Sequence, residues 1–415
     1  MSFLDLFNNQ IESIPNEIGG LESLKELTLY NNAITSIPSG IGGLTDLEIL
    51  YLFQNQIVSI PSQIGGLTSL QELEIYENQI TSIPTEFGAL KSLRYLDLSN
   101  NLLESIPTEI GQLTDLDVND LDEFGEPQGF NYLSLSNNQL DAIPSEVGQL
   151  IALKELYIDN NQITSIPSEF GNLEALENLY LNDNQISAII TDIGELLNLV
   201  ELGLGLNNIE IIPTEMGKLS ALKTLLLYSN QIEIIPTEIG QLEALEILVL
   251  DTNAIESVPT EIGLLDSLKV LVLSNNPISS VPTELGQLTD LEELYLPWEQ
   301  IASLPLEVEA LCDGGETDCV GYSSNSSDED TDAPTESTIS TTDTEFPTSS
   351  PTSTLNPTAS TTGFPTFPPT VETTAPPTSS PTSTLNPTAG TTGFPTFSPT
   401  AETTTLPTTV NPTNF

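Results

Sequence analysis

Asp115, Asp117, Asn119, Glu123 and Glu126 occupy positions 1, 3, 5, 9 and 12 of one run, the spacing at which oxygen ligands wrap a calcium ion. Position 6 of such a loop needs glycine for its tight turn, and here it is Asp120. Asp115 also belongs to a Thr-Asp-Leu triplet that recurs around Asp46 and Asp290, and no flanking helix pair is evident. The run is therefore read as an acidic surface loop, with calcium as the alternative and no metal site assigned. The chain contains no histidine, which removes the commonest general base and the familiar nucleophile triads. No glycine-rich phosphate loop or HExxH string occurs. Neither an enzyme nor a bound cofactor is expected.

The two cysteines, Cys312 and Cys319, stand in LCDGGETDC, and a pair so placed suggests a disulfide-closed cap, hence an oxidising compartment. Two reduced thiols in a cytosolic protein are the alternative. Asn325-Ser326-Ser327 follows as a glycosylation acceptor, whereas the triplets at Asn356, Asn386 and Asn411 are blocked by proline.

These groups sit on a strictly periodic chain. Asparagine recurs at 9, 32, 55, 78, 101, 138, 161, 184, 207, 230, 253 and 276, each in LxLxxNxI or a close variant. Every step is 23 residues except that from Asn101 to Asn138, which is 37 and places extra residues around 117–130. A thirteenth unit at Leu294–Ile301 keeps the leucines but carries Glu299 at the asparagine position. Alternating leucines such as Leu27 and Leu29 make one face of a short strand, and Ile34, Ile37, Ile41 and Leu44 suit a loop and a helical turn. One unit cannot bury its apolar side alone, but stacked units can, at about 1.5–3 kcal/mol for each fully buried Leu or Ile. A buried asparagine amide, which both donates and accepts, serves the backbone where the chain turns after the strand. Ionised Glu299 only accepts, so the stack should end near it. Proline, in most units followed by Ser or Thr, starts the helical turn, and Ile190 in the proline position should soften that one.

LxxLxLxxNxI at this period resembles the leucine-rich-repeat superfamily over residues 1–311, and IPxxIGxLxxL is most similar to its Ras-group type, found in intracellular signalling scaffolds. The resemblance implies an α/β solenoid: a horseshoe of about 13 repeats with a parallel concave sheet. Residues 312–322 would form a C-terminal cap carrying the cysteine pair. Residues 323–415, rich in Ser, Thr and Pro with a 30-residue internal repeat, should form a disordered, mucin-like stalk. MSFLDLF enters the first strand directly, with no polar N-terminal cap, and suggests a chain that starts inside a longer protein.

Seven Lys and Arg against 60 Asp and Glu give a net charge of −53, which makes nucleic acid and anionic membranes poor partners. Eleven units carry an acid eight residues after the asparagine position, and five bases (Lys25, Arg94, Lys154, Lys223, Lys269) lie seven residues before it. Acids at the start of each turn and bases beyond its end would complement the turn's dipole.

With leucines three and five residues before the asparagine facing inward, residues two, four and six before it face the hollow. Nine of the ten tyrosines have these offsets. Two clusters are expected to bind a partner: Phe7, Tyr30, Tyr51, Phe53 and Tyr76, then Tyr95, Tyr132, Tyr157 and Tyr180. Acids interleave them, so the ligand should be a basic or hydroxyl-rich protein or glycan. The expectation is non-enzymatic recognition from a stalk outside the cell or in its wall; the alternative is a cytosolic Ras-group-like scaffold for protein–protein interaction.

Overall fold

The computed structural model describes residues 1–114, 129–314 and 317–321. The acidic run at 115–126, Asn325 and the Ser/Thr/Pro-rich tail lie outside the described residues. Fourteen short strands form one open, curved, parallel sheet in chain order: β1 (Phe3–Asp5), β2 (Glu26–Thr28), β3 (Ile49–Tyr51), β4 (Glu72–Glu74), β5 (Tyr95–Asp97), β6 (Tyr132–Ser134), β7 (Glu155–Tyr157), β8 (Asn178–Tyr180), β9 (Glu201–Gly203), β10 (Thr224–Leu226), β11 (Ile247–Val249), β12 (Val270–Val272), β13 (Glu293–Tyr295) and β14 (Asp318–Cys319). Leucine pairs with leucine from β1 to β13, as in Leu27 with Leu50 and Leu202 with Leu225, which are fully buried, and Leu294 of β13 pairs with Cys319.

The asparagines do what their chemistry suggests. Asn161 accepts from the Leu140 amide at 3.0 Å and donates to the carbonyls of Leu135, Ile158 and Asp159 at 3.0, 3.2 and 3.1 Å. Asn55, Asn78 and Asn184 repeat the pattern. One amide thus ties two successive units, because its acceptor and one donor contact serve the unit before while its other donor contacts hold its own strand. The residue just before each such asparagine has left-handed backbone, from Asn8 (φ 55°) to Asn275 (φ 52°). Asparagine tolerates that conformation better than most side chains, which accounts for the doubled Asn-Asn in six units.

On the convex side each unit makes a short 3-10 turn, such as Asn16–Gly20 and Ser168–Asn172, entered through extended backbone at proline (Pro61 φ −73°, ψ 150°). Ile190 has φ −67° and ψ 145°, and its turn at Thr191–Glu195 is complete, so the softening expected there does not occur. Neighbouring turns impose the geometry that proline merely pre-sets. The glycine of each turn is fixed by stacking. A Cβ on Gly148 would strike the Glu169 carbonyl oxygen of the next turn and lie 2.7 Å from the Glu169 carbonyl carbon and Cβ.

Three expectations need correction. The extra residues precede Phe130 instead of including it: the Asn131 and Tyr132 amides donate to the Arg94 carbonyl, so Phe130 fills the core slot equivalent to that of Leu93 and is 2% exposed. The cap begins before Cys312, since the helix α1 (Leu306–Asp313) takes the place of a 3-10 turn, buries Val308 completely and packs on the turn at Thr283–Gln287. The sheet also continues one strand past Glu299. There β14 hydrogen-bonds to β13, Thr317 donates to the Leu291 carbonyl at 2.7 Å, and a Cys312–Cys319 disulfide joins β14 to α1. Trp298 donates to the Val320 carbonyl at 2.5 Å and so wedges the cap.

The bases also behave differently from the dipole expectation. Lys25 pairs with Glu48 at 2.5 Å, Lys154 with Glu177 at 3.4 Å, and Glu246 with both Lys223 and Lys269 at 3.1 and 2.5 Å, each across to the next unit. Such exposed pairs are screened by water and contribute little to stability. At the other end of the sheet Leu6 is 36% exposed, whereas Leu29, its equivalent in the next unit, is 3% exposed. Among the described residues no helix is long and apolar enough to cross a membrane.

Candidate recognition surface

Strand parity sends every residue of the two predicted clusters to the hollow, but their packing differs. Phe7, Tyr30, Phe53 and Tyr76 occupy the same position in four successive units. Their rings form a ladder with centroids 4.7, 4.3 and 4.5 Å apart and planes within 10° of parallel. Ring faces in this ladder are spent on one another, so it presents mainly edges to a partner. Tyr51 lies beside it, 6.2 Å from Phe53, with its hydroxyl donating to Glu72 at 2.9 Å.

The second cluster is tighter. Tyr95 stacks on Tyr132 at 4.0 Å, and Tyr157 lies 5.5 Å from both Tyr132 and Tyr180. Tyr132 and Tyr157 are only 5% and 9% exposed, which corrects the expectation that they are open to a ligand: they floor the hollow, while Tyr95 and Tyr180 stay accessible. Burial first, and Glu72 next to it, hold the Tyr51 hydroxyl above the usual phenol range; burial and the Glu201 hydrogen bond do the same for Tyr180. These phenols keep their protons. Tyr51, Tyr157 and Tyr180 donate them to Glu72, Glu155 and Glu201. What remains for a partner is acceptor capacity on phenol oxygens and carboxylates.

None of the seven Lys and Arg residues (25, 91, 94, 154, 218, 223, 269) has a hollow-facing offset. The acids there feel one another. Burial first, then the hydrogen-bonded Glu72 carboxylate and Asp97, push the Glu74 carboxyl up to about 8. Asp97, 5% exposed, is raised by burial, although the Ser99 amide and hydroxyl and Ser134 pull it down. Between the ordinary glutamate value of 4.5 and about 8, the folded chain therefore keeps a proton on Glu74 that the unfolded chain releases. The stability this gives is full at low pH and is lost as pH rises through that window. Glu74→Gln should leave stability unchanged near about pH 4 and raise it by on the order of 2 kcal/mol near about pH 9, well below the limit of about 1.4 kcal/mol per tenfold change in proton affinity because water reaches the hollow. Urea midpoints at the two pH values check this; an equal effect at both would contradict it.

Two parts of the hollow escaped the sequence reading, which attended to aromatics. Leu226, Val249 and Val272 stand side by side on β10, β11 and β12, with Ile247 and Val270 beside them, as an aliphatic shelf in which Leu226 and Val249 are buried and the other three partly exposed. At the end of β9 and two residues past it the hollow-facing positions are Gly203 and Gly205. Glycine inside a strand pattern marks a close approach, and that signal was present in ELGLGLNN.

A stack of this kind, with a short parallel strand, an asparagine amide between units and a convex 3-10 turn, defines a leucine-rich-repeat solenoid. The description "Leucine-rich repeat region" matches residues 1–87 and 184–312, with further repeat matches over 129–186 and 68–123; the chain belongs to the leucine-rich-repeat family. A comparison with curated protein sequences gives no match. Among solved structures it is similar to a leucine-rich-repeat protein of Leptospira interrogans (34% identity, 74% of this chain and 87% of that one, TM-score 0.56). An internalin of Listeria monocytogenes shares 25% identity over 78% of this chain and 87% of its own, with TM-score 0.63. A TDR receptor shares 25% identity over 75% of this chain and 57% of its own, with TM-score 0.60.

Proposed function

We propose that the chain is a non-enzymatic recognition module that grips a protein partner in its hollow, outside the cell. The observation that carries this is the aromatic ladder Phe7–Tyr30–Phe53–Tyr76 with Tyr51 at its side, an accessible run of rings bordered by carboxylates. Large contiguous aromatic surface on a rigid sheet is what partner binding uses, and unpaired acceptors favour a basic, donor-rich surface over a neutral one. Kinship with an internalin and a receptor supports the same reading. The Cys312–Cys319 bond, the acceptor at Asn325 and the Ser/Thr/Pro tail support display on a stalk in an oxidising compartment.

A peptide and glycan array probed with the full chain tests the binding face. Tyr51→Ala combined with Tyr76→Ala should weaken the bound peptides about 30-fold, as central aromatic anchors do. Its unfolding free energy should fall by about 1 kcal/mol, the stacking lost at Tyr76. Retained affinity, or binding to glycans alone, would overturn the proposal. The IPxxIGxLxxL motif favours a second reading, a cytosolic scaffold of the Ras-group type. Mass measurement of the native protein with and without reductant separates the two: a closed bond and sugar on the tail fit the first, free thiols and a bare tail the second.

A further inference from the structure

The glycine pair of β9 changes how one aromatic ring is presented. At Gly205 an added Cβ would lie 2.6 Å from Tyr228 Cδ1 and closer still to the adjoining Cε1 and Cζ. A point so near three consecutive ring atoms sits above the ring's face, since a point beyond the ring's edge would be far closer to one atom than to its neighbours. Tyr228 of the neighbouring unit therefore lies down across the backbone just past β9, with one face on Gly205. Beside it, Tyr180 Cδ1 would be 2.6 Å from a Cβ on Gly203. Tyr228 is partly exposed, and among the described rings none stacks on it. This is the reverse of the ladder at β1–β4, where faces are covered and edges are shown.

The surroundings of that ring are acidic. Asp159, Asp251 and Asp183 are the carboxylates whose charge acts on the Tyr228 hydroxyl. Asp159 is held in place by the Asn182 amide and side chain at 2.9 and 2.8 Å. No Lys or Arg has a hollow-facing offset to neutralise them.

We infer that Tyr228, laid flat over Gly205 in an acidic part of the hollow that carries no Lys or Arg, is a seat for the guanidinium group of an arginine on a partner polypeptide. Resting on the reading of the hollow as the recognition face, the inference adds a site to it and names what that site takes. A planar, weakly hydrated cation can lie on the ring face and still hydrogen-bond a carboxylate at its rim, whereas an ammonium is a point charge that keeps its water. A neutral sugar could stack on the same face but would leave the carboxylates without a counter-charge. The aliphatic shelf adds a second contact. Val249 and Leu226 are buried, so the contact falls to partly exposed Val272 on β12, three strands over and two residues along from Gly205, about 16 Å, which an extended peptide covers in about five residues.

The probe is therefore an acetylated, amidated peptide in which arginine is followed five places on by leucine, compared with its lysine counterpart. The full chain is titrated with each at about 0.15 M salt, where long-range attraction is screened. The arginine peptide should bind about tenfold more tightly than the lysine peptide. Tyr228→Leu should abolish that preference while leaving the lysine peptide's affinity unchanged, and Tyr228→Phe, which keeps the ring, should retain it. Gly205→Ala should also abolish it, because the added methyl displaces the ring. Equal affinity for the two peptides, a preference that survives Tyr228→Leu, or displacement of the arginine peptide by maltohexaose through Tyr228 would overturn the inference. Tyr51→Ala with Tyr76→Ala should leave the preference intact, so failure of the ladder as a binding face and failure of this seat give different results.

Discussion

Asn161→Asp is expected to destabilise the solenoid by about 4 kcal/mol, although the two side chains have the same shape. The aspartate can still accept from the Leu140 amide. It has no donors for the carbonyls of Leu135, Ile158 and Asp159, and if ionised it sets a negative charge against three carbonyl oxygens in a site that is 9% exposed. Protonation relieves the charge but supplies only one donor in place of the amide's two. The urea midpoint of Asn161→Asp against wild type measures the cost. A change below about 1 kcal/mol would mean that the amide ladder contributes no more than ordinary surface hydrogen bonds. Asn161→Ala should fall between, since it leaves the same carbonyls unserved without adding charge.

Gly148→Ala is expected to cost about 2–3 kcal/mol, because the obstacle is backbone of the next unit and cannot swing aside as a side-chain tip would. Gly20 supplies the control. A Cβ there meets nothing within 4 Å, so Gly20→Ala should be neutral or stabilise by up to about 1 kcal/mol through the unfolded chain. If the two alanine variants unfold at the same denaturant concentration, the close stacking of 3-10 turns is not what selects glycine in IGxL.

Much of this architecture was legible because each repeated residue type answers one local need. Period and strand parity place Leu27 and Leu29 inside and Tyr30 in the hollow, and the asparagine's capacity to donate and accept places it at the turn. Features set by the neighbouring unit were not legible in the same way. Both Leu116 and Phe130 suit the slot before an LxL strand, and only the pairing of Tyr132 with Tyr95 decides for Phe130. Ile190 adopts proline's backbone because the turns on either side hold it there. Lys223 and Lys269 find Glu246 across a unit boundary, a contact invisible to reasoning within one turn. In the candidate site, parity located the tyrosines correctly but said nothing about ring orientation. That orientation separates the edge-on Phe7–Tyr76 ladder from the recumbent Tyr228, and it turns on which neighbour lacks a side chain.

The step of 37 residues amid steps of 23 has a consequence for how such a molecule can vary. Tyr95 and Tyr132 keep the same pairing as strands a regular distance apart, so 14 additional residues have entered one boundary without moving the strands on either side by even one place. A globular core would have to repack around such an intrusion. Here the join between convex turn and concave strand is a port at which foreign sequence can be tried, kept or discarded, while the gripping surface beside it stays in alignment.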